Sequence, residues 1–325
     1  MASKTTRKAP IFIFDNPRTS SQLLNLFFAG HPDLDASPGL VSSWIWPLSV
    51  AGPERLSTKL QISPQSKESD SLLEAEMHAW YQKYAGIDIN QMFKHHFAQL
   101  QFQQTIAGVL QAGKVPFSRE HRTGVMKFEV VQELLQKGSM DKPPRNPTYI
   151  PDELFFSMRN PAILIRHPAL VVPSYFRAQN VKQKYAIGDE IVKAWTMQSS
   201  AKFLYEHLLA LAINPVVVDG DDVMYKSSDL CAKLCALWQL DPSGVRFEWQ
   251  EGSEVEKSFP LSDGYMNVTF GSKGIVQREP KIVDIDVEES RWRHEFGEET
   301  AAAMRVLVDA DLADYEYLKA RKLEV

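Results

Sequence analysis

The sequence of 325 residues predicts an α/β fold, a mainly parallel sheet flanked by helices on both faces. Short apolar runs bounded by turn residues alternate with longer helical patterns, and parallel strands require such crossovers. Polar clusters follow several of these runs, where parallel sheets bind ligands beyond the carboxyl ends of their strands. We expect a single domain over residues 1–325, with residues 1–9 as a flexible N-terminal tail.

Four strands are predicted from apolar runs. They cover residues 11–14 (IFIF), 114–118 (KVPFS), 162–166 (AILIR) and 215–219 (PVVVD). Helical patterns follow the first strand and occupy residues 74–84, 91–111, 191–211 and 298–318, with a further helix from about Val171. Three polar clusters lie at strand ends, at residues 15–22, 119–121 and 166–174. Their convergence at one edge of the sheet predicts the functional site.

Composition excludes several classes of protein. A net charge of −5 argues against a general nucleic-acid binder, which usually carries a basic face. The apolar run at 11–14 is too short for a signal-peptide core or a membrane span, so we expect a cytoplasmic protein. Cys231 and Cys235 lie four residues apart in a helical pattern, and we interpret them as core residues because a zinc site needs more ligands. No metal site is expected.

The first polar cluster, residues 16–22 (NPRTSSQ), offers one cation, three hydroxyls and backbone N–H groups at a strand-to-helix turn. This chemistry suits a phosphate or phosphosulfate. The cluster is not a Walker A loop, because the pattern G-x-x-x-x-G-K-[ST] is absent. An ordinary helix N-cap made of Ser and Thr is the alternative interpretation.

The segment 162–176 (AILIRHPALVVPSYF) has a more specific pattern. A predicted strand ends at Arg166, His167-Pro168 follows, and Ser174 comes eight residues after the arginine, followed by Tyr175. This pattern resembles that of PAPS-dependent sulfotransferases with a P-loop-like fold, of a divergent fungal or bacterial type; PAPS is the nucleotide sulfate donor 3′-phosphoadenosine 5′-phosphosulfate. The resemblance spans about residues 10–280 and implies that Arg166 and Ser174 bind the 3′-phosphate. A guanidinium suits this task because it can bind phosphate in bidentate fashion.

The resemblance extends to the first cluster, which is similar to the family's 5′-phosphosulfate loop. It implies that Arg18 is the loop cation and that the donor also contacts Thr19, Ser20, Ser21 and Gln22. Ser20 stands where the family usually has glycine, and Gln22 replaces a final hydroxyl. A glycine has no Cβ and lets the backbone approach a ligand closely, whereas Ser20 adds a side chain at this point.

The third cluster, Arg119-Glu120-His121, resembles the Lys-Ser/Thr-His sequence whose histidine is the family's general base. An imidazole suits this role because it titrates near neutral pH. By the same resemblance Arg119 assists at the sulfuryl oxygens. The turn at residues 271–274 resembles a loop that contacts the 3′-phosphate, which makes Lys273 and Gly274 candidates for donor binding.

These features predict a sulfotransferase that acts on a hydroxyl of a small molecule in secondary metabolism, with PAPS as donor and PAP, the 3′,5′-bisphosphate, as product. No nucleic-acid or membrane partner is expected, and a homodimer is left open. Three alternatives stay open. The first alternative is a P-loop small-molecule kinase, the second is a biosynthetic dehydratase or cyclase on the same fold, and the third is a nucleotide-sensing module.

Overall fold

The structure is a computed structural model that describes residues 9–35, 109, 113–148, 150, 152–180, 186–249, 273–275 and 282–325. Among these residues, five strands form one parallel sheet in the order β2-β3-β1-β4-β5, which confirms the predicted α/β class. The strands are β1 (Ile11–Asp15), β2 (Leu34–Asp35), β3 (Val115–His121), β4 (Ala162–Ile165) and β5 (Val216–Asp219).

Helices connect these strands and follow the last one. The helices within the described ranges are α1 (Ser21–Phe28), α2 (Arg122–Val125), α3 (Phe128–Lys137), α4 (Asp152–Phe155), α5 (Pro168–Gln179), α6 (Glu190–Thr196), α7 (Ser199–Ala210), α8 (Gly220–Tyr225), α9 (Ser227–Trp238), α10 (Ile285–Phe296) and α11 (Glu298–Lys319).

Strand β1 separates two apolar cores because successive side chains point to opposite faces. Ile11 and Ile13 pack with residues of α1 and α9, whereas Phe12 and Phe14 pack with residues of α3 and α7. All four side chains are at most 1% exposed. Their continuous burial explains why this strand lacks an apolar–polar alternation, as expected for a strand with both faces covered.

The interpretation of the two cysteines as core residues is confirmed. Cys231 and Cys235 are each 1% exposed and lie on α9 within the core that also contains Trp238. Burial, together with the charge of Asp241, raises the pKa of Cys235 to about 11. The thiol is therefore neutral at physiological pH and behaves as a small apolar side chain.

The predicted long helix at residues 191–211 is wrong in one respect, because it is two helices, α6 and α7. The break is stabilised from outside the segment. The Asn16 side-chain amide donates to the Met197 carbonyl at 3.1 Å, and the Gln198 N–H donates to Asp311 Oδ1 at 2.8 Å. The prediction for the third cluster is also corrected, since Arg119, Glu120 and His121 lie inside β3 and not after it.

The start of the helix after β4 differs by three residues from the prediction. Helix α5 begins at Pro168, not at about Val171, because His167 Nδ1 accepts the Ala169 N–H at 3.1 Å and proline suits the first helical position. Three predicted features lie largely outside the described residues: the helices at 74–84 and 91–111, and the N-terminal tail. No helix among the residues described is long and apolar enough to cross a membrane.

Candidate active site

The register of two strands brings Asp15, Arg119 and His121 together. β1 and β3 pair in parallel, with Ile13 opposite Arg119 and Asp15 opposite His121. The three polar side chains continue the row of buried apolar side chains that point to the α1 face of the sheet. Asp15 Oδ1 lies 2.7 Å from His121 Nδ1, and Asp15 Oδ2 accepts a hydrogen bond of 2.9 Å from Arg119 Nη1.

The Asp15 carboxylate is fully buried and charged. Burial alone would raise its pKa, but the charges of His121 and Arg119 and the hydrogen bonds from His121 and Ser21 outweigh burial and lower the pKa to about 2. The carboxylate is therefore ionised at neutral pH. It was not predicted as a site residue, although its place at the last position of the first strand would have indicated it once the strand register was known.

The His121 ring has two further geometric constraints. Its plane meets the Trp195 ring edge to face, with ring centroids 5.5 Å apart. Its side chain is 22% exposed, so the imidazole borders accessible space. Nε2 is the ring nitrogen that Asp15 does not contact, and it is the atom available to exchange a proton with a bound molecule.

The loop between β1 and α1 has an unusual backbone, because Arg18 and Ser20 both adopt left-handed conformations, with φ of 72° and 64°. Ser20 thus takes the conformation that a glycine would adopt there, at a cost of about 1–2 kcal/mol. Thr19 is fully buried, and its hydroxyl donates to the Asn16 carbonyl at 2.8 Å. Its side chain therefore stabilises the turn.

The alternative of an ordinary N-cap does not describe this loop. Ser20 is the N-cap residue of α1, but its side chain makes no capping hydrogen bond. Ser21, in the first turn, accepts a 3.2 Å hydrogen bond from Arg119 Nη1. Gln22 is half-buried in the same turn, and its predicted contact with the donor stays a prediction.

The loop meets the predicted 3′-phosphate pair. Arg18 Nε donates to Ser174 Oγ on α5 at 2.9 Å, and Arg166 Nη1 donates to the Arg18 carbonyl at 3.0 Å. Arg166 directly follows β4, whereas the sequence pattern predicted it as the last residue of that strand. Two motifs separated by about 150 positions in the sequence therefore form one cluster of two guanidiniums and a hydroxyl.

Gly220 allows this close packing and was not predicted to matter. A Cβ atom at position 220 would lie 2.7 Å from the Thr19 carbonyl oxygen and 3.4 Å from that of Ile165. Only glycine therefore lets the end of β5 approach the loop. The neighbouring Asp221 is a counter-charge of the cluster: burial raises the pKa of its carboxyl, and the charge of Arg166 opposes that rise.

Lys273 and Gly274 lie in a different environment. The Trp249 N–H donates to the Lys273 carbonyl at 3.1 Å, and Gly274 forms a bridge with Glu248. The ring of Trp249 lies 6.5 Å from that of Phe27, near the C-terminal end of α1, whereas the loop containing Arg18 precedes its N-terminal end. Donor binding by Lys273 and Gly274 stays a prediction.

Comparison with known proteins agrees with the motif resemblance. The chain is 29% identical over 194 residues to sulfotransferase ppzF of Metarhizium majus (strain ARSEF 297) and to sulfotransferase ppzF of Metarhizium rileyi (strain RCEF 4871). Each alignment covers 55% of this chain and 56% of the relative, so the chain spans about half the length of the curated relatives that it matches. No protein-family model matches the chain.

Two solved structures are similar over most of the chain. The sulfotransferase domain of the Synechococcus PCC 7002 olefin synthase has a TM-score of 0.43 and 18% identity, covering 95% of this chain and 97% of that domain. The sulfotransferase domain from the curacin biosynthetic pathway has a TM-score of 0.44 and 15% identity, covering 93% and 96%. The sequence relatives thus support a sulfotransferase family for this chain, the family that the pattern around Arg166 and Ser174 resembles.

Proposed function

We propose that this protein transfers a sulfuryl group from PAPS to a hydroxyl of a small molecule. The observation that carries the proposal is the junction of the two motifs: Arg18 contacts Ser174, and Arg166 contacts the backbone of Arg18. A donor with phosphate groups at both ends of its ribose needs two anion-binding groups at a short separation. The junction supplies them, and His121 lies on the neighbouring strand.

The chemistry of the cluster fits such a donor. Arg18 and Arg166 offer guanidinium N–H groups, and Ser174 offers a hydroxyl, all of which suit phosphate oxygens. Arg18 and Ser20 have left-handed backbones, and left-handed residues are part of the turns in which backbone N–H groups bind anions. PAPS supplies the activated sulfuryl group when bound, and PAP is the product released.

In this proposal each of the site residues has a role in the reaction. His121 Nε2 accepts the proton of the acceptor hydroxyl, while Nδ1 stays in contact with Asp15. Arg18 and Arg119 place positive charge where negative charge develops during transfer. Arg166 and Ser174 bind the 3′-phosphate and so align the donor with the base.

PAP is expected to raise the melting temperature of the protein more than AMP does, because only PAP carries the 3′-phosphate that Arg166 and Ser174 would bind. At a concentration one hundred times the dissociation constant, a ligand stabilises the folded state by about 2.7 kcal/mol. Differential scanning fluorimetry with PAP, AMP and ATP at equal concentrations measures the difference. Equal shifts with PAP and AMP would remove the donor assignment, and a larger shift with ATP would favour the kinase alternative.

Arg166→Ala is expected to weaken PAP binding by about 1.5–3 kcal/mol, since it removes a charge-assisted hydrogen-bond donor. AMP binding should change much less, because AMP lacks the 3′-phosphate. The matched control is Arg159→Ala, which lies before the opposite end of β4 and contacts Gln239 and Trp238. Isothermal titration calorimetry of both variants gives the comparison. If Arg166→Ala binds PAP as tightly as the parent does, the 3′-phosphate site lies elsewhere.

A second candidate function is a different reaction on the same fold, a dehydratase or cyclase of a biosynthetic pathway. The observation in its favour is the pair of departures in the loop, Ser20 and Gln22. Ser20 nevertheless keeps the left-handed backbone of a glycine, which favours retained donor binding. PAP binding without sulfation of any acceptor in a broad panel would favour this second function.

A further inference from the structure

Asp15 is a buried carboxylate whose two oxygens contact two different predicted catalytic side chains. Oδ1 lies 2.7 Å from His121 Nδ1, and Oδ2 accepts from Arg119 Nη1 at 2.9 Å. We propose that Asp15 is a positioning residue: it fixes the tautomer and ring orientation of His121 and aligns Arg119 beside it. This inference rests on the proposed sulfuryl transfer.

The tautomer follows from hydrogen-bonding capacity. An ionised carboxylate can only accept hydrogen bonds, so the proton between Asp15 and His121 belongs to Nδ1. In the neutral ring the lone pair is then on Nε2, the nitrogen that a general base must present to the acceptor hydroxyl. Without Asp15 nothing in this contact would favour that tautomer over the other.

The orientation follows from the surroundings of the pair. Asp15 and His121 are opposite residues of paired parallel strands, so backbone hydrogen bonding sets the distance between them. The ring of Trp195 meets the imidazole edge to face, with ring centroids 5.5 Å apart. Ser21 Oγ accepts a second hydrogen bond from the same Arg119 nitrogen at 3.2 Å. The imidazole and the guanidinium therefore each have a defined position relative to the carboxylate.

The arrangement also stabilises the charge that proton transfer creates. The proton of the acceptor hydroxyl moves to Nε2, and its bonding electron pair stays on the oxygen, which forms a bond to the sulfur of PAPS. The bond between that sulfur and the phosphate oxygen breaks, and PAP leaves with its electron pair. The ring becomes an imidazolium whose Nδ1–H donates to the Asp15 carboxylate, an interaction stronger than its neutral counterpart. Asp15 stays ionised throughout and takes no proton itself.

The test is a spectroscopic measurement on the full chain labelled with ¹⁵N-histidine. At a pH where the His121 ring is neutral, the parent is expected to show the shifts of an Nδ1–H tautomer. Asp15→Asn should move these shifts towards the Nε2–H tautomer, because the amide can donate to Nδ1. Asp15→Glu keeps an acceptor carboxylate and should retain the Nδ1–H form. A parent ring protonated at Nε2, or unchanged shifts in Asp15→Asn, would overturn the proposal.

Asp219→Asn is the matched control. Asp219 ends the strand β5, is 3% exposed, and accepts from Tyr315 and from the Asp221 N–H, with no such contact to His121. The same substitution there should leave the His121 shifts unchanged. A control variant that alters those shifts as strongly as Asp15→Asn does would show a general effect of losing a buried charge and sink the specific one.

Kinetics provide a readout that separates positioning from folding. Asp15→Asn should lower kcat by about 10²–10⁴-fold, with the KM of the acceptor and the affinity for PAP near parental values. Asp15→Glu should recover part of kcat. A fall in PAP affinity as large as the fall in kcat would show a collapsed site and overturn the positioning role. If the tautomer shifts as expected but the parent sulfates nothing, the proposed function fails while the effect of Asp15 on His121 stands.

Discussion

His121→Ala is expected to lower turnover by about 10²–10⁴-fold while PAP binding stays close to that of the parent. The variant removes the imidazole that contacts Asp15, but Asp15 keeps its contacts with Arg119 and Ser21. A panel of phenols and alcohols with radiolabelled PAPS identifies an acceptor first. Turnover of that acceptor and PAP affinity are then measured for the variant and the parent.

Two further variants make the result specific. His121→Gln keeps an amide that can donate to Asp15 but lacks a base, so it should lose turnover as His121→Ala does without leaving the carboxylate unpaired. His207→Ala is the control, because His207 lies on α7, contacts the Arg145 carbonyl and stacks on Phe203. Turnover by His121→Ala at the parental rate would assign the base to another residue.

Glu120→Gln is expected to stabilise the protein at pH 8 and to flatten the pH dependence of its stability. Glu120 is 1% exposed, and burial raises the pKa of its carboxyl to about 8, despite the hydrogen bond from Ser118 Oγ at 2.5 Å and the charge of Arg119. Its other oxygen, Oε2, has no hydrogen-bond partner among the described residues. A neutral amide of the same shape avoids the cost of a buried charge.

The direction of the effect follows from proton binding. Between the unfolded pKa near 4.5 and the folded pKa of about 8, the folded protein keeps a proton on Glu120 that the unfolded chain has lost. The stability contribution is therefore fully present below pH 4.5 and decreases as the pH rises towards 8. Over this window the loss is on the order of 4–5 kcal/mol, which Glu120→Gln should abolish.

Urea unfolding at several pH values between 5 and 8 measures this slope. Asp311 is also buried, and burial raises its pKa to about 7, so the parent has more than one contribution in the same direction. The informative quantity is thus the difference between variant and parent. Glu129→Gln changes an exposed carboxyl and should leave the slope unchanged. Parallel profiles for Glu120→Gln and the parent would contradict the prediction.

Several features of the protein could be predicted from local sequence. The runs IFIF, AILI and PVVVD are apolar, short and bounded by turn residues, so each identifies a buried strand without knowledge of its neighbours. The eight-residue spacing from Arg166 to Ser174 carried the family resemblance for the same reason, since a strand, a turn and two helical turns set that distance locally. Cys231 and Cys235 were predicted as core residues because they share one helical face and a zinc site needs more ligands than two.

Other features were decided only by contacts between distant segments. The helical pattern of the sequence does not show the break between α6 and α7. The break depends on hydrogen bonds from Asn16 and to Asp311, which replace the intrahelical ones there. Gly220 matters because the Thr19 carbonyl approaches it, and a sequence shows no such approach. The placement of residues 119–121 inside β3 depends on how far β1 extends beside it.

The candidate site combines both kinds of information. The sequence alone predicted His121, Arg18, Arg166 and Ser174 as site residues, because each belongs to a short pattern that resembles a family motif. Only the tertiary structure joined Arg18 to Ser174 and paired His121 with Asp15. The reason is strand register: a shift by one residue would turn every side chain of a strand to the opposite face, and register is set by packing across the whole sheet.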